Sequence, residues 1–210
     1  LFIGSHHFNT YIYARLSRNK TIAFKRQVWY NLLDKILYSG GEIILIILGI
    51  DPGYAIVGLG VIKYEGNHFT TLKYGAVTTP AEMPFGDRLS LIFDGMNEIF
   101  SQFKIDAMSI EKLYFNTNTT TAIDVAQARG VIVLSAVRHD VPVFEYTPLQ
   151  VKQAVVGYGR AEKKQVQEMT RLMLGLAKIP KPDDTADALA MAICHGHCSG
   201  SIMGKLNSLK

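Results

Sequence analysis

The sequence lacks long hydrophobic runs, has few cysteines and contains no internal repeat. Its apolar run at 43–50 falls far short of the roughly 18 residues that suggest a membrane-spanning helix. Two cysteines close together, Cys194 and Cys198, cannot form the disulfide framework of a small secreted domain. Residues 1–19 contain no apolar run long enough for a signal peptide. These absences favour a soluble, reducing, cytoplasmic setting, and 210 residues suffice for one sizeable core.

Most of the chain also lacks a net charge. The formal charge of +4 arises in residues 1–44, which hold six basic and two acidic side chains, whereas residues 45–210 hold sixteen of each sign. A global electrostatic attraction to nucleic acid is therefore not expected. Any nucleic-acid surface must be a local basic patch.

Residues 1–44 do not share the pattern of the rest. Residues 22–38 could form an amphipathic helix, and 39–42 have the composition of a linker. Gly40-Gly41-Glu42 is also what a purine-rich ribosome-binding site encodes when translated, and Leu45 could correspond to a non-standard start codon. We therefore predict that residues 1–44 are an N-terminal extension outside the functional domain, which spans 45–198 and is followed by a tail at 199–210.

From Leu45 onward the pattern predicts an α/β fold. An isoleucine-rich run ends at Asp51 and stops on a Pro-Gly turn, which is typical of a strand buried on both faces. Two more strands follow as an antiparallel meander, and helices then alternate with strands. This order predicts a mixed five-stranded sheet with helices on both faces, in which the fourth and fifth strands run parallel to the first. The remaining predicted elements are strands at 55–64, 68–76, 106–113 and 141–146 and helices at 89–103, 118–137, 148–157, 161–174 and 184–197.

Four acidic side chains lie at element ends among apolar neighbours: Asp51, Glu111, Asp184 and Asp187. A turn aspartate can cap its own backbone, and acids in a first helical turn complement the helix dipole. The last helix is nevertheless rich in alanine and reads as buried, so its two acids, which share one face, favour a cation partner. Oxygen-only ligands favour magnesium or manganese, and four carboxylates could hold two ions about 4 Å apart, as in phosphodiester cleavage.

Five motifs of this chain resemble those of the RuvC family, in the same order and at the same spacing. They are Gly49–Gly53, Ile110–Glu111, Ala126–Gly130, Gln150–Gln153 and Asp184–Ala190. The resemblance covers residues 45–197. It implies a ribonuclease H-like fold and a magnesium-dependent endonuclease that resolves four-way (Holliday) junctions by paired symmetric nicks in homologous recombination and DNA repair.

The same resemblance assigns roles to residues. It makes the four acids the ligands of two magnesium ions per subunit, with manganese as a possible substitute, and implies a two-metal mechanism. It also implies a homodimer and partnership with the branch-migration proteins RuvA and RuvB.

Six residues are implied to bind DNA. Tyr114 occupies the place of an aromatic residue that meets junction bases, and Phe115 could be the exposed ring instead. Lys152 and Lys163 match basic positions of the family's DNA surface, and Arg160 and Lys164 cluster with them in sequence. A charge run is usually a solvated face, which is the interpretation we would favour without the resemblance.

Two other patterns allow alternatives. Ala122, Ala126 and Gly130 form a row of small residues at four-residue spacing, which suits either packing on the chain's own sheet or a subunit interface. The segment Cys194–Cys198 holds two cysteines and two histidines within five residues. That spacing is unlike the paired spacings of structural zinc sites, so a fraying helix end is the favoured interpretation.

Two other functions compete with the nuclease. A non-catalytic junction-binding module would not need the full set of four acids. An actin-like or sugar-kinase ATPase also has an Asp-x-Gly turn after its first strand, but it needs a second related half, and this chain is too short for two halves.

Overall fold

The computed structural model of the chain describes residues 44–112 and 119–207. Within these ranges the chain forms five strands and five helices. The strands are β1 (Ile44–Asp51), β2 (Ile56–Glu65), β3 (His68–Thr78), β4 (Ala107–Glu111) and β5 (Val143–Tyr146). The helices are α1 (Phe85–Gln102), α2 (Thr119–Arg138), α3 (Pro148–Val156), α4 (Lys163–Met173) and α5 (Asp183–Asn207). No helix in this part of the chain is long and apolar enough to cross a membrane.

The strands form one mixed sheet in the order β3-β2-β1-β4-β5. β1, β2 and β3 pair as an antiparallel meander, whereas β4 pairs parallel to β1 and β5 pairs parallel to β4. The predicted topology is therefore confirmed, including the adjacency of the first and fourth strands. β1 lies at the centre, which explains its nearly unbroken apolar sequence.

Helices cover both faces of the sheet. On one face, α1 and α2 contribute Ile92, Met96 and Ile132 to a core that includes Leu48 and Ile110. On the other face, α5 packs across β1 and β2, with α3 and α4 against its outer side. Side chains alternate along each strand, so the residues of β1 and β4 that do not face α1 and α2 face α5.

The first turn of α5 lies unusually close to the sheet. A Cβ atom built on Gly58 would lie 2.0 Å from the carbonyl oxygen of Asp184, so only glycine fits at this point of β2. Thr185 is fully buried and donates its hydroxyl hydrogen to the carbonyl oxygen of Gly75 on β3, at 3.0 Å. These two contacts fix the start of α5 against the strands.

Element boundaries differ from prediction mainly at the end of the chain. The last helix was predicted to end at His197, but α5 continues to Asn207. The segment Cys194–Cys198 therefore lies within a helix, and its interpretation as a fraying end is wrong. Cys194 and His195 are buried there.

Candidate active site

The carboxyl ends of the parallel strands bring two of the predicted acids to one edge of the sheet. Ile50 of β1 pairs with Ile110 of β4, so the next residues, Asp51 and Glu111, lie side by side where the strands end. Both side chains lie on the face covered by α5, because Ile50 and Ile110 belong to the core of the opposite face. Two acids 60 positions apart in sequence thus meet at one edge.

The other two acids reach this edge from the first turns of α5. Asp184 and Asp187 are three residues apart in the helix and are both partly buried. The close contact of Asp184 with Gly58 holds them near Asp51, since Gly58 is the β2 partner of Asp51 in the antiparallel ladder. Sheet and helix therefore contribute two carboxylates each.

The carboxyl group of Asp51 is affected both by burial and by the charges of the other three acids. Burial, followed by the negative charges of Asp187, Glu111 and Asp184, raises the pKa of Asp51 to about 7, while Lys163 acts in the opposite direction. Burial and the charge of Asp187 likewise raise the pKa of Glu111. Carboxylates in such a cluster are stabilised by a cation.

Lys163 supplies one such cation from the start of α4. Its ammonium nitrogen lies 2.7 Å from Oδ2 of Asp187 and 3.9 Å from Oδ2 of Asp183. The hydrogen bond to Asp187 raises the pKa of Lys163. Lys163 was predicted from the sequence only as a DNA-binding residue. Asp183 was not predicted as part of the site, and its one sequence signal is its position in the first turn of an acid-rich helix.

The donor chemistry of this cluster fits hard divalent cations. Four carboxylates outnumber the one ammonium group, and carboxylate oxygen is the ligand that magnesium and manganese prefer. Among the described residues, however, no three carboxylate, imidazole or thiol groups converge closely enough to hold an ion as they stand. One of the four acids, Asp187, is instead paired with Lys163.

Four of the six predicted DNA-binding residues lie in the part of the chain that the structure describes. Lys152 lies half-buried on α3, whereas Arg160, Lys163 and Lys164 are exposed around the start of α4. Of these, Lys163 contacts the acid cluster directly, while Tyr114 and Phe115 lie outside the described residues. The DNA contacts of all six remain predictions.

Arg129 makes an interaction near Glu111 that the sequence did not predict. Arg129 of α2 pairs with Glu145 of β5, and its Nε donates to the backbone carbonyl oxygen of Glu111 at 3.4 Å. The sequence signal was present, because Arg129 belongs to the Ala126–Gly130 motif, but the pattern alone did not indicate its partners. Arg129 thus supports the end of β4 from the face opposite α5.

A buried polar network lies beside the same edge. The hydroxyl of Tyr146, which pairs with Glu111 in the sheet, lies 2.7 Å from Nδ1 of His195, and Ser199 Oγ lies 3.2 Å from the other ring nitrogen. Burial lowers the pKa of His195 to about 4, so this ring is neutral at pH 7. A hydrogen bond from Cys194 lowers the pKa of Cys198 to about 6. Within the described residues these groups form no metal-binding cluster.

The raised pKa of Asp51, caused first by burial and then by the neighbouring acids, predicts an unusual pH dependence of stability in the absence of divalent cations. The carboxyl of Asp51 ionises near pH 4 in an unfolded chain but only near pH 7 in the fold. Between about pH 4 and about pH 7 the folded state therefore binds more protons at Asp51 than the unfolded state does. The free energy of unfolding should consequently fall as pH rises through this range. The fall is at most about 1.4 kcal/mol per pH unit.

Asp51→Asn should flatten this slope in denaturant titrations with EDTA at pH 4.5 to 8. The matched control is Asp94→Asn, which removes an exposed carboxylate from α1 and should leave the slope unchanged. Equal slopes for the parent and Asp51→Asn would contradict a raised pKa of Asp51 in the fold.

The fold and the site together define a class: an α/β nuclease of the ribonuclease H-like fold, with carboxylates gathered at the ends of its central strands. Residues 47–195 match the family model "Crossover junction endodeoxyribonuclease RuvC". The RuvC of Ruminiclostridium cellulolyticum is 57% identical over 162 residues, which cover 76% of this chain and 98% of that protein. The chain belongs to the crossover junction endodeoxyribonuclease RuvC family, and is a nuclease that acts on DNA.

Solved structures agree with this membership. The structure of Thermus thermophilus RuvC has a TM-score of 0.71 and 34% identity, and covers 76% of this chain and 98% of its own. The same protein in complex with a Holliday junction substrate has a TM-score of 0.69 and 33% identity, with coverage of 75% and 96%. The predicted fold class is therefore confirmed.

Proposed function

We propose that this chain is a magnesium-dependent endonuclease that resolves four-way DNA junctions by paired nicks as a homodimer. The observation that best supports the chemistry is the cluster of Asp51, Glu111, Asp184 and Asp187, in which burial first and the charges of the other three acids second raise the pKa of Asp51. The bound substrate of the Thermus thermophilus relative supports the choice of DNA structure. We place this activity in recombination and repair.

The four acids would hold two magnesium ions, with manganese as a substitute. Such ions lower the pKa of the attacking water and stabilise charge on the leaving 3′ oxygen. Asp51 and Glu111 provide rigid ligands because they end paired strands, and Asp184 and Asp187 are fixed by the docked start of α5. Rigid supporting elements preserve the geometry that catalysis requires.

Binding of DNA is proposed to use the basic side chains beside the acids. Arg160, Lys163 and Lys164 are exposed near the start of α4 and can contact backbone phosphates, and the half-buried Lys152 of α3 is proposed as a fourth basic contact. Such contacts give affinity without reading sequence. Aromatic stacking on junction bases is assigned to Tyr114, with Phe115 as the alternative.

The proposed dimer interface lies on α2. Ile123, Gly130, Leu134 and Val137 follow one another at intervals of seven, four and three residues, so they share one helical face. The three apolar side chains are each at least 49% exposed. A Cβ built on Gly130 meets no atom within 4 Å, which argues against packing of this glycine inside the subunit. A twofold dimer would present two sites to the two equivalent strands of a junction.

Gly130→Leu should make the protein monomeric at concentrations where the parent is dimeric. The added side chain faces open space in the subunit but would overpack a close helix contact, which typically costs about 1–3 kcal/mol per site. Analytical ultracentrifugation gives the oligomeric state and a melting curve gives the fold. A folded variant that stays fully dimeric would remove Gly130 from the interface.

The nuclease itself is tested by incubating the full chain with a synthetic mobile four-way junction, with and without magnesium. We expect paired symmetric nicks that leave 5′-phosphate and 3′-hydroxyl ends and require the metal. Linear duplex of the same sequence is the matched substrate control. Junction binding without nicking in magnesium or manganese would support a binding module instead.

The remaining proposals follow from family membership. We propose that the nuclease resides in residues 45–198, which the family match at 47–195 supports, and that residues 1–44 are dispensable. RuvA and RuvB are proposed partners. A cytoplasmic location is proposed because recombining bacterial DNA is found there.

A further inference from the structure

The connection between β1 and β2 begins directly at Asp51 and is sterically confined. Proline fixes its own φ angle, so Pro52 removes one degree of freedom immediately after the acid. A Cβ built on Gly53 would lie 2.2 Å from the carbonyl oxygen of Ile56, so the backbone closes tightly here. The position of Tyr54, the next residue, is therefore coupled to that of Asp51.

Two contacts from outside this connection hold Tyr54. The hydroxyl of Thr79, just after β3, donates to the carbonyl oxygen of Tyr54 at 2.7 Å. The guanidinium of Arg88, in the first turn of α1, lies over the Tyr54 ring at 4.6 Å from its centroid. Arg88 Nε also donates to the hydroxyl oxygen of Thr79 at 2.8 Å. Arg88 thus contacts Tyr54 directly and is also linked to it by hydrogen bonds through Thr79.

The position of Arg88 is electrostatically costly. The residue is only 8% exposed, and a cation in the first turn of a helix opposes the helix dipole. No carboxylate of the described residues pairs with it in the structure. The cost of burying Arg88 is offset by its hydrogen bond to Thr79 and by its contact with the face of the Tyr54 ring. The hydrogen bonds from Arg88 to Thr79 and from Thr79 to Tyr54 strengthen each other.

We propose that Arg88 and Thr79 are positioning residues, which hold the turn from Asp51 to Tyr54 and thereby set the carboxylate of Asp51 for phosphodiester hydrolysis. They act from the face of the sheet opposite α5, so Asp51 is fixed from both sides. The inference rests on the proposed nuclease function. It adds two residues that are neither among the four acids nor among the proposed DNA-binding residues.

Two substitutions at Thr79 test the relay, which is the chain of contacts from Arg88 through Thr79 to Tyr54. Thr79→Val retains the shape but lacks the hydroxyl, whereas Thr79→Ser retains the hydroxyl and loses a methyl group. At saturating junction DNA, we expect Thr79→Val to lower the nicking kcat at least tenfold and Thr79→Ser to stay within threefold of the parent. KM for the junction should change less than threefold in both, because Thr79 is not among the proposed DNA-binding residues.

A purely structural role would lower the melting temperature without changing kcat per folded molecule. Equal kcat for Thr79→Val, Thr79→Ser and the parent would therefore overturn the inference. Arg88→Lys retains the positive charge but lacks the planar guanidinium, and it should lower kcat as much as Thr79→Val does. The double variant that combines Arg88→Lys with Thr79→Val should show no larger loss than either single variant. Additive losses would show that the two residues do not form one relay.

Hydrogen exchange separates failure of the inference from failure of the proposed function. In the full chain without DNA, Thr79→Val should speed amide exchange in the segment 51–58 at least tenfold relative to Thr79→Ser, with α2 unchanged. Absence of nicking by the parent would refute the nuclease and, with it, the positioning role, whatever the exchange result. Nicking by the parent with unchanged exchange in Thr79→Val would refute the positioning role alone.

Discussion

Asp51→Asn should reduce magnesium-dependent nicking of a four-way junction to below about one-thousandth of the parent rate. Metal ions supply several kcal/mol of transition-state stabilisation, and about 4 kcal/mol corresponds to a thousandfold in rate. Asp51 is the acid on which the charges of the other three converge. Replacing one carboxylate by an amide at this point should therefore cost most of that stabilisation.

Junction binding by Asp51→Asn should stay near the parent value, because basic side chains that contact phosphates supply most of the affinity for DNA and a carboxylate does not attract phosphate. Single-turnover nicking and gel-shift titration on the same junction measure the two quantities. Asp94→Asn, which removes an exposed acid of α1, should nick normally. Parent-like nicking by Asp51→Asn would exclude Asp51 from the catalytic set.

Gly58→Ala should lower both stability and nicking, although the added methyl group is small and carries no charge. The new Cβ would lie 2.0 Å from the carbonyl oxygen of Asp184, so the start of α5 must move away from β2. Overpacking of this kind typically costs about 1–3 kcal/mol. A displacement of about 1 Å in a catalytic group can cost about a hundredfold in rate.

The matched control is Gly75→Ala on β3, where a Cβ meets no atom within 4 Å. Melting curves and single-turnover nicking rates of the two variants should separate them, with losses only for Gly58→Ala. A Gly58→Ala protein with the parent's melting temperature and rate would show that the contact between β2 and α5 does not position the acids.

The sheet was predictable because its signals are local. The isoleucine-rich β1 could only be a central strand, and the order of elements then fixed which strands run parallel. Asp51 and Glu111 could be paired from this topology alone. Asp184 and Asp187 were predictable as a pair because three-residue spacing puts them on one helical face.

The contacts between elements were not predictable. Lys163 reaches Asp187 only because α4 packs against α5, and no sequence pattern encodes that packing. Arg88 finds Tyr54 across 34 positions of sequence and through a third residue, Thr79. Nothing in the described contacts explains why α5 continues past Ser199, where a glycine- and serine-rich sequence is typical of a helix end.

The order of the acids along the chain has a consequence for the timing of synthesis. Asp51 and Glu111 leave the ribosome with the sheet, but Asp184 and Asp187 emerge only with α5, the last helix of the described chain. Chains are made at about 5–20 residues per second, and their N-terminal parts begin to fold first. A nascent chain can thus assemble its strands while two of the four clustered carboxylates are still missing. If the four acids act together as proposed, the potential to cut DNA arises only after nearly the whole domain has been translated.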